Sequence, residues 1–188
     1  MQFKVVTTVA AEPVTLAEAR LQCKIDADDT THDALITSLI TAAREFAEHY
    51  TGRALAGQTL EGALDSFPDC DYIDLPMPPV VSVTSIKYTD TAGAEQTLST
   101  GAYALSAYGL GNRVNLAANG EWPSTQEVAD AVRVRFVAGY TTAPKAVKAA
   151  ILLHIEIECP LNPHTPAERD MLEKARDSLL NTVKVWGM

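Results

Sequence analysis

Apolar positions recur along this chain with two different periods, and the change of period divides it. Between residues 31 and 52, Leu35, Leu39, Ala42, Phe46 and Tyr50 return at steps of three and four, and Ile36, Ile40, Ala43 and Ala47 widen the stripe. That spacing predicts a helix with Thr37, Thr41, Arg44, Glu45 and Glu48 on its polar face and Gly52 as its C-terminal cap. A shorter helix is predicted near 15–24, where Thr15 and Glu18 form a capping box and Val14 and Ala19 a hydrophobic staple. Residues 144–158 read as helix with a nearly continuous apolar run from Ala149 to Leu153. Residues 166–185 read as a last helix, opened by a box of Thr165, Pro166 and Glu168 and striped by Met171, Leu172, Ala175, Leu179 and Val183.

From about 57 to 140 the period falls to two. Candidate strands are 58–65, 71–75, 80–89, 95–98, 102–106, 113–116 and 131–137, and residues 3–9 suggest a short strand or arm. In the clearest, Val132, Val134 and Phe136 face one way and Arg133 and Arg135 the other. Strict alternation in 80–89 puts Val81 and Val83 on one face, with Ile86 and Tyr88 on the other. Pro76, Pro78 and Pro79 bar a helix or central strand before it, and Asp90 to Gly93 reads as the turn of a hairpin. The expected fold is α+β, mainly a helical bundle with helices near 15–24, 31–52, 144–158 and 166–185, carrying a β-rich insertion at about 57–140. One domain over 1–188 is expected, in three segments: 1–56, 57–140 and 141–188.

Composition narrows the function. The 188 residues are 47% hydrophobic and 21% charged, an ordinary globular balance. A net charge of -9 argues against phosphate binding as the main task, since that affinity rests on Lys and Arg. An acidic wall would instead let DNA pass without sticking. Cys23, Cys70 and Cys159 are odd in number and far apart in sequence, which favours a reducing compartment over a disulfide framework. The N-terminus is too polar for a signal peptide, and no segment approaches the ~18 apolar residues of a membrane span. A soluble intracellular product with no membrane role is expected.

Candidate chemistry is sparse. Asp26, Asp28 and Asp29 resemble the start of a calcium loop, but Thr31 and Thr37 stand where its glycine and its bidentate Glu belong. His154-Ile155-Glu156 matches the H-x-E of zinc deaminases without the required pair of cysteines. Gly109-Leu110-Gly111-Asn112 reads as a turn with no helix behind it for a phosphate. No catalytic, cofactor or metal residue is assigned, and an enzyme is not expected. The candidate subunit or partner surface comprises Leu35, Leu39, Phe46 and Tyr50, then Ile151, Leu152 and Ile155. Trp122, Arg133, Arg135 and Trp186 join it as aromatic and basic anchors.

The order of these pieces resembles the head–tail connector, or neck adaptor, proteins of tailed bacteriophages and prophages. The likeness opens at Glu12-Pro13-Val14-Thr15-Leu16-Ala17-Glu18-Ala19 and passes through Ala42 to Glu48, then Tyr50 to Leu55. It continues at Gln58-Thr59-Leu60, Leu64 to Pro68, Ile73 to Pro76, Pro79 to Val83, Ile86-Lys87-Tyr88, Trp122-Pro123 and Ala138-Gly139-Tyr140. Roughly 12–158 is covered, and the Cys159-Pro160-Leu161-Asn162-Pro163 exit departs from the family's pattern. The resemblance implies a structural virion protein with no cofactor, forming a homo-oligomeric ring that is dodecameric in the virion. Such a ring would join the portal protein to a tail or head-closure protein in the virion neck, after assembly in the bacterial host cytoplasm. DNA would pass through the channel without sequence-specific binding. Other readings are a tail-completion or tail-terminator protein, or a small-ligand-binding or enzymatic α+β domain.

Overall fold

A computed structural model describes residues 1–106, 108 and 112–185; Gly109, Leu110, Gly111 and Trp186 lie outside the described residues. The strands are β1 (Gln2–Thr7), β2 (Gln58–Leu64), β3 (Tyr72–Asp74), β4 (Val80–Thr89), β5 (Glu95–Thr97), β6 (Tyr103–Leu105), β7 (Arg113–Leu116) and β8 (Val132–Ala138). The helices are α1 (Leu16–Gln22), α2 (Asp33–Thr51), α3 (Lys145–Glu158) and α4 (Pro166–Asn181). The chain divides into two compact units, residues 1–10 with 57–140 and residues 11–56 with 141–188.

The fold is α+β but not mainly a helical bundle, which corrects the expectation from periodicity. Among the described residues, eight strands form two antiparallel sheets, one ordered β1-β2-β8-β4-β5 and the other β3-β7-β6. The β residues bury a core of their own: Leu60, Ile86, Val134 and Phe136 have no exposed surface, nor has Val114 in the smaller sheet. Burial on that scale stabilises each side chain by about 1.5–3 kcal/mol, so the strands stand as a structural layer in their own right.

In the five-stranded sheet β8 is central and alternates as its sequence predicts, with Val132, Val134, Phe136 and Ala138 buried between half-exposed or exposed neighbours. Strict alternation fails in β4. Its register against β8 slips between Val80 and Ser82 and again between Val83 and Ser85. Each slip adds one residue and reverses the parity of those that follow. Val83, Ile86 and Tyr88 therefore lie opposite Phe136, Val134 and Val132 on one face, while Val81 is 58% exposed. The β4–β5 hairpin turns at Asp90, whose carboxylate accepts the backbone N–H groups of Ala92 and Ala94, both at 2.9 Å. Gly93 supplies the positive φ the turn needs.

In the helical unit both capping boxes form: Thr15 with Glu18 opens α1 and Thr165 with Glu168 opens α4. Lys148 first, then the Thr15 backbone, hold the Glu18 carboxyl down at about 2. Gly52 caps α2 in the left-handed conformation, its N–H donating to the Glu48 carbonyl at 2.9 Å. The buried face of α2 is rotated from the expected stripe. Ile36, Ile40, Ala43 and Ala47 are buried, but so are Arg44 and Glu48, while Ala42 is exposed. Arg44 donates to Glu48 at 2.6 Å and to Glu12 at 2.9 Å, and Glu48 also accepts the Leu55 N–H at 2.8 Å. Charges can be buried here because each is paired and hydrogen-bonded. A similar substitution occurs in α4, where Arg176 and Leu180 are buried and Met171 is 70% exposed.

Candidate functional site

The candidate residues fall into two groups, one in each unit. In the helical unit Ile151 and Ile155 have no exposed surface and belong to the unit's own core, whereas Leu35, Leu39 and Leu152 are half-buried. Phe46 and Tyr50 lie one turn apart on α2, their ring centroids 6.0 Å apart. Phe46 stacks on His154 of α3 at 4.3 Å, and the Arg176 guanidinium of α4 lies 4.4 Å from the Phe46 ring centroid. Arg176 also donates to His154 Nδ1 at 3.0 Å, so the imidazole must be neutral there and accept. Burial, then the Arg176 charge, push the His154 pKa down from its ordinary value. Tyr50 donates to Asn181 at 3.1 Å, and Lys184 sits 4.4 Å from the Tyr50 ring centroid. The H-x-E histidine is thus a joint between three helices. Sequence spacing did not find Arg176, although it stands four residues before the buried Leu180 and so on the same helical face.

Near this joint the distant Cys23 and Cys159 meet, both buried as free thiols. Burial, then the contact with Cys159, push the Cys23 thiol up to about 12. Such a thiol stays protonated and unreactive at neutral pH. In the acidic turn, Asp29 accepts the Thr31 N–H at 2.8 Å, and Asp33 pairs with Arg20. The Arg20–Asp33 pair ties α1 to the start of α2. No described helix is long and apolar enough to cross a membrane.

In the β unit, Trp122 is half-buried and anchored. Its ring stacks on Phe67 at 4.9 Å with 5° between the planes, and its indole N–H donates to the Cys70 carbonyl at 2.8 Å. Phe67 in turn meets Tyr88 of β4 edge-on at 5.7 Å. Arg133 and Arg135 project from the outer face of the five-stranded sheet. Arg135 reaches Glu61 of β2 at 2.7 Å, and Lys4 of β1 reaches the same carboxylate at 3.0 Å. Arg133 pairs with Glu95 of β5, which Lys87 of β4 also approaches at 2.7 Å. Each carboxylate is shared by two cations. Lys87 first, then Arg133, hold Glu95 below the usual range; Lys4 and Arg135 do the same for Glu61 against the burial that would raise it.

Solved structures share this fold. A chain in the neck of an empty GTA particle, computed with C6 symmetry, superposes with a TM-score of 0.80 at 22% identity, covering 100% of this chain and 97% of that one. A chain from the virion of a native gene transfer agent particle gives 0.78, and one from the native GTA neck computed with C12 symmetry gives 0.71, at the same identity and coverage. No curated protein matches the sequence. Residues 13–106, half the chain, match the family described as phage gp6-like head-tail connector protein, and the chain belongs to that head-tail connector family.

Proposed function

We propose that copies of this chain assemble into a closed ring in the virion neck. The ring joins the portal to the tail or the next neck protein and extends the DNA channel. The observation that carries this reading is the family match over residues 13–106. The likeness over the whole chain to neck chains of a phage-like particle supports it. The net charge of -9 suits a conduit that DNA must traverse without being held. The protein's role in this reading is mechanical, and assembly takes place in the host cytoplasm.

The test is the solution mass of the 20.2 kDa chain by light scattering over a concentration series, with and without purified portal particles. The expected result is a closed ring, formed alone or on the portal template. A chain that stays monomeric and also fails to join portal particles would overturn the reading.

A further inference from the structure

The β unit keeps its charges apart. Four of its cations, Lys4, Lys87, Arg133 and Arg135, lie together on the outer face of the five-stranded sheet, with Glu61 and Glu95 between them. An open depression of about 170 Å³ on this face is lined by Lys4, Glu61, Arg133 and Asp130 among others. Even with Asp130 counted the face is positive, in a chain whose net charge is -9. A second surface of the unit has the opposite sign. The Trp122 indole bond to the Cys70 carbonyl ties the segment carrying Glu121 to the segment carrying Asp69 and Asp71. All three carboxylates are exposed, and none forms an ion pair among the described residues. Gathering like charges without a counter-charge is unfavourable, and a cationic partner would relieve it.

We propose that the outer face of the five-stranded sheet docks a second copy of this chain, receiving that copy's Asp69, Asp71 and Glu121. The inference rests on the ring reading above and names the contact between neighbours. Two different and complementary patches on one chain make a head-to-tail contact, the kind that closes into a ring when its rotation permits. Duplex DNA is the lesser fit for the cationic face. Two of its four cations are already neutralised by Glu61 and Glu95, and the phosphates of a duplex would meet those carboxylates along its whole length, whereas the second copy brings three carboxylates.

The experiment mixes light and isotopically heavy full-length protein and treats it with a carbodiimide, which joins a lysine amine to a carboxylate only where they touch. Expected are mixed-label cross-links from Lys4 or Lys87 to peptides carrying Asp69, Asp71 or Glu121. The reversal Asp69→Lys/Asp71→Lys/Glu121→Lys breaks no ion pair of the described chain. It should weaken self-association roughly tenfold or more, and adding Lys4→Glu/Lys87→Glu should restore it. Raising salt should weaken the wild-type association in parallel. An oligomer without these cross-links, an acidic-cluster reversal that leaves association unchanged, or a strict monomer would each overturn the proposal. So would loss of duplex-DNA retention in Lys4→Glu/Lys87→Glu with self-association intact. Portal binding is measured separately, so the ring adaptor can stand while this contact fails.

Discussion

Replacing Arg44 with Met tests whether the buried ion pair of α2 acts as its geometry requires. Met keeps the aliphatic stem and removes the guanidinium that donates to Glu48 at 2.6 Å and Glu12 at 2.9 Å. Glu12 is partly exposed, and its loss matters by at most about 1 kcal/mol. Glu48 is 6% exposed, and burial already raises its pKa above the ordinary 4.5 while Arg44 opposes that rise. Breaking a buried pair costs about 3–5 kcal/mol. Glu48 can, however, escape by taking up a proton. At pH 7 that route costs about 3.4 kcal/mol, from 1.36 kcal/mol per pH unit above 4.5, and at pH 5 only about 0.7. The expected loss is therefore about 3–4 kcal/mol at pH 7 and about 1 at pH 5. The sign follows from linkage. A folded carboxyl with a raised pKa holds its proton where the unfolded chain has released it, so stability falls as pH rises from 4.5 toward the raised value. Urea unfolding followed by far-UV circular dichroism at both pH values measures this, and Arg44→Met/Glu48→Gln should remove the pH dependence. Equal losses at the two pH values would refute the assignment to Glu48.

Three further outcomes are expected. The depressed His154 pKa means that the unfolded chain protonates at about 6.5 before the folded one does, so stability should fall as pH drops below that value. His154→Gln should flatten the decline between about pH 7.5 and 5.5 in the same urea assay; an unchanged slope would count against a neutral, accepting imidazole. Gly52→Ala should cost about 1–2 kcal/mol, because φ is +67° while the added Cβ would meet only the Val185 Cβ at 3.9 Å. A neutral result in thermal unfolding would contradict the left-handed cap. Trp122→Ala should destabilise the β unit by about 1–3 kcal/mol, combining the ring stack with the hydrogen bond to Cys70. Near-UV circular dichroism with urea reads that loss, and an unaltered midpoint would show that the stack is not maintained.

Where interactions are local, the order of residues is enough to specify the outcome. Thr15 with Glu18 and Thr165 with Glu168 sit three residues apart, so the backbone alone brings each pair together. Gly52, the Asp90 turn and the alternation of β8 are local in the same sense, and all stand where the residues placed them. The ordered motifs carried the family as well. Other features depend on a neighbour distant in sequence and emerge once the chain has folded. The two slips in β4 are set by pairing with β8, and they reassign Val83 to the face of Ile86. Arg44 and Glu48 look solvent-facing by residue type, yet Glu12 and Leu55, brought in by the chain on either side, satisfy them in the interior. Arg176 is buried because Phe46 and His154, on two other helices, supply a ring face and an acceptor. A periodicity argument ranks side chains by their own polarity, whereas burial is decided by whether the surroundings complete their hydrogen bonds and charges.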